Sequence, residues 1–190
     1  MITRCEWPAD NDLMIKYHDE EWGTPVHDDQ KFFEFLLLEA FQAGLSWEII
    51  LKRREGFRKA FDNFDYKKII NYTEEDVERL MNNEGIIRNR LKIVSTISNA
   101  KLFIEIQKEF GSFNKYIWGF VNDKPINNNR KSMSDIPATT KVSDELSKEL
   151  KKRGFKFFGS TIAYAFMQAA GLINDHTTEC FRYKEVETLK

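Results

Sequence analysis

The chain has 190 residues and a formal net charge of −1, with 29 Lys and Arg set against 30 Asp and Glu. That length suffices for a proper core, as one domain or two interleaved lobes, and the balanced charge excludes bulk attraction to nucleic acid while allowing a local basic face. Two cysteines exclude a disulfide framework and fit a reducing cytoplasm. No apolar run is long enough to cross a bilayer. The start, MITRCEWPAD, has no basic segment leading into an apolar run, so no signal peptide is expected.

In chain order, DDQKFFEFLLLEAFQAG predicts a helix capped by Asp28 or Asp29 and stopped near Gly44. Its apolar residues cover almost the whole circumference, which marks a central buried helix. Ser46 to Ala60 is amphipathic, with Trp47, Ile50, Leu51 and Phe57 at helical spacing. Thr73 opens a third helix through a capping box with Asp76, and Glu74 and Glu75 favour its dipole. That helix breaks at Asn82-Asn83-Glu84-Gly85. The next runs from about Arg88 to Phe110, with Leu91, Val94, Ile97 and Leu102 on its core side, and ends at Gly111. Residues 122–142 lack periodicity and hold two of the four prolines, so they read as a long loop. Ser143-Asp144-Glu145 starts another helix that ends at Gly154. Ser160 or Thr161 starts the last, through AYAFMQAAG. No run alternates convincingly enough to form a sheet, so the fold class is all-α.

Four residues suggest a metal. Cys5, His18, His176 and Cys180 include both cysteines and two of the three histidines. His176 and Cys180 are four apart and would share a face on a helix. Two thiolates and two imidazoles suit a closed tetrahedral Zn(II) site. Well over a hundred residues separate the two pairs, so the site would be a clasp between the chain ends. On these residues alone, a clasp and a set of two buried thiols with two unrelated histidines are equally open.

Three further features bear on chemistry. ERLMNNEGIIRNRLKIVSTI places a tight turn containing Gly85 between two helices. The N–H groups opening the second helix suit a phosphate, and Arg88, Arg90 and Lys92 stand ready to add contacts. A plain helical hairpin with a solvated basic face fits the same residues. Glu39 falls on the helical wheel among Phe32, Phe35, Leu36 and Ala43. Burying a carboxylate there costs several kcal/mol unless it is paired. Glu39 is therefore either half of a structural ion pair, the commoner outcome, or part of a site that needs a carboxylate in a dry pocket. Trp7, Tyr17, Trp22 and Trp47 form an aromatic set of the kind that flanks a bound nucleobase, although core packing explains most aromatics.

The segments CEWP, YHDEEWGTPVHDD, LLLEAFQAGLSW, LKRREGFRKAF, EDVERLMNNEGIIRNRLKI and DELSKELKKRGFKFFGSTIAYAFMQAAGLINDH, with Cys180, resemble the 3-methyladenine DNA glycosylase I family, the bacterial Tag type. The likeness covers nearly the full length and fades after Cys180. It implies an all-α helix-hairpin-helix DNA glycosylase fold, with a hairpin lobe over about 27–120. A second lobe, from about 1–26 plus 121–190, would be held by a zinc clasp. It implies one structural zinc on Cys5, His18, His176 and Cys180, placed away from the base pocket. It implies that Glu39 hydrogen-bonds the alkylated adenine, that Tyr17 and Trp47 contact and stack on it, and that Trp7 is another aromatic of the pocket. Gly44 and Leu45 would probe the gap left by the flipped nucleotide.

The resemblance has departures. Met14 stands where the enteric members have a tyrosine, and the hairpin lacks the superfamily's Gly-x-Gly. No counterpart of the superfamily's catalytic aspartate follows the hairpin, as in the Tag branch generally. The implied activity is hydrolytic, monofunctional release of free 3-methyladenine from alkylated double-stranded DNA by a cytoplasmic monomer, without lyase chemistry. A catalytically silent DNA-binding module and a zinc hydrolase are the rival classes. Four good ligands argue against the latter, which needs an open metal position.

Overall fold

In the computed structural model, which describes residues 2–189, helices dominate the chain. α1 (Asp12–Glu20) begins at Asn11, whose side chain accepts from the N–H groups of Leu13 and Met14. α2 (Asp29–Gln42) is capped by Asp28, which accepts from Lys31 N at 2.8 Å. Every residue from Phe32 to Phe41 is buried, so α2 is the central element that its all-round apolar surface predicts. α3 (Trp47–Ala60) follows, then a short α4 (Tyr66–Ile69). α5 (Glu74–Met81) carries the expected Thr73–Asp76 capping box.

α6 (Arg90–Phe110) is the longest helix, and α7 (Phe113–Trp118) turns back beside it. The N-terminus of α7 is held by Asp29, whose carboxylate accepts from Phe113 N and Asn114 N. α8 (Lys141–Arg153) and α9 (Ser160–Ala169) pack together, and α10 (Phe181–Thr188) ends the chain. Phe rings fill the centre: Phe103 stacks on Phe113 at 4.2 Å, and Phe41 meets Phe57 edge-on at 4.8 Å. Most of the aromatic excess is therefore core.

Several expectations need correction. α6 starts at Arg90 because Asn89 caps it by accepting from Lys92 N. Its core face is Ile93, Thr96, Ala100, Phe103 and Ile106, and of the expected residues Ile97 and Leu102 pack half-buried against the core, whereas Leu91 and Val94 are 71% and 46% exposed. The helix carries two apolar stripes, and burial of Phe103 against Phe113 selects the other one. α8 begins at Lys141, with Thr140 as cap and Ser143 completing its capping box. His176 and Cys180 lie in the bend between α9 and α10, with Cys180 as the N-cap of α10, so their spacing is not helical.

The chain is not wholly helical either. β1 (Ile126–Asn127) pairs in parallel with β2 (Ile173–Asn174), Ile126 opposite Ile173. This two-residue ladder zips the long loop to the segment that carries His176.

Candidate base pocket and metal centre

A cavity of about 240 Å³ opens between α1, the end of α2 and the start of α3. Trp7, Met14, Tyr17, Trp22, Glu39, Gln42 and Trp47 line one side. Met133 and Ile136 from the long loop, with Ala165 and Gln168 of α9, line the other. The aromatic rings form a connected cluster: Tyr17 lies tilted 5.4 Å from Trp47, and Trp7 meets Tyr17 and Trp22 edge-on at 6.2 Å and 5.2 Å. Met14 does line the rim, where it offers a flexible apolar side chain in place of a phenol.

Glu39 is 2% exposed, and its Oε2 has no hydrogen-bond partner. It forms no ion pair among the described residues. The structural pairing falls instead on Glu34, which faces Arg54, Arg58 and Lys31 on the other side of α2. With no cation nearby, burial alone pushes the Glu39 carboxyl up to about 8. Burial and the neighbouring Glu39 push the Tyr17 phenol well above its ordinary range. The indole Nε1 atoms of Trp7 and Trp47 and the Oε1 of Gln42 are also buried without partners. Buried polar atoms in proteins are nearly always satisfied. Here two donors and two acceptors are left open around one aromatic cavity, which is the hydrogen-bonding inventory of a site for a planar heterocycle.

The turn after α2 is tight. Gly44 adopts φ +85°, which favours glycine, and Leu45 N donates to Gln42 O at 2.6 Å. The turn leaves Leu45 37% exposed at the end of α2.

The hairpin turn runs from Asn82 to Asn89. Asn83 Oδ1 accepts from Gly85 N at 2.8 Å. A Cβ on Gly56 would collide with the carbonyl of Gly85, so two glycines let the hairpin dock directly on α3. Arg88 is exposed. Arg90 is exposed but paired with Glu74 and Glu78. Lys92 departs from the expected phosphate face. It is 7% exposed and turned inward, where its ammonium donates to Phe41 O at 2.8 Å and Ala43 O at 2.6 Å.

Cys5, His18, His176 and Cys180 converge, all four buried, with their ligand atoms within 4.8 Å of one another. Cys5 Sγ and Cys180 Sγ each lie 3.6 Å from His176 Nδ1, and Cys180 Sγ lies 3.5 Å from His18 Nε2. A tetrahedral zinc with ordinary bond lengths spaces its ligand atoms by about 3.4–3.8 Å. The supporting bonds fit as well. His18 Nδ1 donates to Asp19 at 2.8 Å, and His176 Nε2 donates to Trp22 O at 3.0 Å. Each imidazole thus turns its other nitrogen toward the cluster. Arg4 in turn orients Asp19. Hydrogen bonding between the thiols holds Cys180 far below the ordinary thiol range and pushes Cys5 above it. Gly23, at φ +78°, leaves room for His176, since a Cβ there would lie 2.9 Å from Nε2.

Contrary to the expected separation, the cluster lies beside the cavity. Tyr17 and His18 are consecutive on α1. Trp22 lines the cavity with its ring and holds His176 with its carbonyl. Trp7 meets His18 edge-on at 5.4 Å. The cavity and the Cys/His cluster share a wall.

The sequence pattern of the methyladenine glycosylase family matches residues 7–183. The chain belongs to this family. A DNA-3-methyladenine glycosylase of Haemophilus influenzae is 48% identical over 180 residues, covering 95% of this chain and 97% of that protein. DNA-3-methyladenine glycosylase 1 of Escherichia coli K12 is 49% identical over 182 residues, covering 96% and 97%. Both are named as glycosylases, enzymes that cleave an N-glycosidic bond. A solved structure of 3-methyladenine DNA glycosylase I from Staphylococcus aureus, which concerns the structural basis of 3-methyladenine recognition, has a TM-score of 0.91 at 35% identity. It covers 94% of this chain and 95% of that one.

Sequence reasoning did not reach Gln42, Met133, Ile136, Ala165 or Gln168. Gln42 carries a signal, since it lies three residues after Glu39 on the same helix face. The loop and α9 residues carry none, because only the tertiary fold brings them to the cavity.

Proposed function

We propose that this chain flips 3-methyladenine out of alkylated double-stranded DNA and releases it by hydrolysis. It acts as a monofunctional cytoplasmic monomer with one structural zinc. The observation that carries this reading is the unpartnered Glu39 carboxyl in an aromatic cavity of nucleobase size.

The chemistry follows from the leaving group. N3-methylation makes the adenine of the nucleotide cationic, so it departs without strong acid through an oxocarbenium-like state. Departure returns the bond electrons to the base, which becomes neutral 3-methyladenine. Water then attacks the anomeric carbon and loses its proton to solvent. The protein must select and position the nucleotide.

With its pKa near 8, Glu39 is largely protonated in the empty cavity at neutral pH. A cationic base favours the carboxylate and gains a charge-assisted hydrogen bond. Neutral adenine brings no such charge. Trp47 and Tyr17 stack on and contact the base, Trp7 closes the pocket, and the Gly44–Leu45 turn enters the vacated gap. Gly85 and Arg88 would hold a backbone phosphate at the hairpin. No lysine lines the cavity, which supports hydrolysis without a lyase step.

Zinc on Cys5, His18, His176 and Cys180 would tie the chain ends together. With four protein ligands it leaves no open position for chemistry.

Incubation with methylated double-stranded DNA, followed by chromatography of the supernatant, tests the reading. Free 3-methyladenine and intact, abasic strands are expected. DNA binding without base release would make the protein a silent binding module.

A further inference from the structure

Lys92 is a charged side chain that the proposed reaction does not use. Its ammonium is buried and makes two hydrogen bonds, both to the end of α2. That end has need of them. The last four carbonyls of a helix lack partners within it, and the chain leaves α2 through a left-handed Gly44. A cation there also complements the negative end of the helix dipole. At the other end of the side chain, Lys92 stands in the first turn of α6, where its backbone N–H is held by the cap Asn89 at 3.1 Å. The ring of Phe157 lies 5.8 Å from the ammonium and covers it.

One ammonium therefore bolts two functional pieces together. On one side are Glu39 and Gln42 of α2, the Gly44–Leu45 turn and, just after it, Trp47. On the other is the hairpin with exposed Arg88 immediately before the α6 cap. An apolar residue could fill the same space without the cost of burying a charge. What it would not do is fix two carbonyls in place.

We propose that Lys92 is a positioning residue. It locks the end of the pocket helix and the Gly44–Leu45 turn to the hairpin, and so sets the register between the DNA backbone contact and the base pocket. The inference rests on the function proposed above.

The test uses Lys92→Met, which keeps the stem and removes the donors, and Lys92→Gln, which retains a neutral amide as donor. Four readouts are taken on the folded protein. Single-turnover release of 3-methyladenine from saturating methylated DNA should slow about ten- to a hundredfold, the scale of a small misplacement of reacting groups. Affinity for free 3-methyladenine should hold, because Glu39 lies a turn deeper in buried α2. The salt dependence of binding to undamaged DNA should also hold, and amide exchange at Gly44 and Leu45 should quicken.

A salt slope reduced by about one would mean a lost phosphate contact and overturn the proposal. So would a lower melting temperature with unchanged turnover in the folded fraction, which is the mark of a purely structural lysine. If Lys92→Met does not fold, Lys92→Gln carries the same measurements. If the unmodified protein releases no base, the proposed function fails, while amide exchange at the turn still reports whether the lock exists.

Discussion

Changing Glu39 to Gln separates a pocket carboxylate from a structural one. The carboxyl is displaced from an ordinary value of 4.5 to about 8 by burial alone. A folded-state pKa above the unfolded one means that the native chain binds the extra proton between those values. Stability therefore falls as pH rises from about 4.5 to about 8, by up to a few kcal/mol from this group. Glu39→Gln keeps the shape and removes the titration. The variant should match the parent near pH 5 and melt higher near pH 8.

Base binding should move the other way. Free 3-methyladenine is neutral, so losing one hydrogen bond to it costs about 0.5–1.5 kcal/mol, or roughly two- to tenfold in affinity. The half-buried indoles of Trp7 and Trp47 line the cavity, so their fluorescence serves to follow its occupancy. Melting curves at both pH values and a 3-methyladenine titration on one preparation decide the matter. A destabilised variant with unaltered base affinity would refute the pocket assignment.

Other predictions follow from the same geometry. Trp47→Ala should weaken base binding by about 1–3 kcal/mol through lost stacking, as measured by the same titration. Elemental analysis should find about one zinc per chain, by the stoichiometry of one four-ligand site. Cys180→Ser should lose that metal and lower the melting temperature. Because Trp22 and the Tyr17–His18 pair belong to both sites, it should also weaken 3-methyladenine binding. A metal-free protein that folds and binds base normally would rule out the clasp. Arg88→Ala should weaken binding to all DNA sequences alike and flatten the salt slope by about one. An unchanged slope would move the phosphate contact elsewhere.

The sequence made some elements legible and hid others for physical reasons. α2 announced its burial because apolar residues encircle it, and α5 announced its start through a capping box. α4 and α7 span only 4 and 6 residues, too short for periodicity to show. α6 misled because Leu91 and Val94 make an apolar stripe as regular as the buried one. Glu39 and the aromatic set were visible as candidates, but Glu34 of the same helix is buried as well. Only the placement of Arg54 and Arg58 against Glu34 separates the two. Lys92 reads as a surface cation in any sequence, because nothing local reports that α2 ends where its side chain points.

The central claim is that pocket fit, not leaving-group ability alone, selects the base. Double-stranded DNA treated with a methylating agent carries cationic 3-methyladenine and cationic 7-methylguanine together, both ready to depart. Chromatography of the bases released by the protein from that one substrate tests the claim directly. The account predicts rapid release of 3-methyladenine, with 7-methylguanine left at its spontaneous rate. Equal acceleration of both, or of neither, would contradict it.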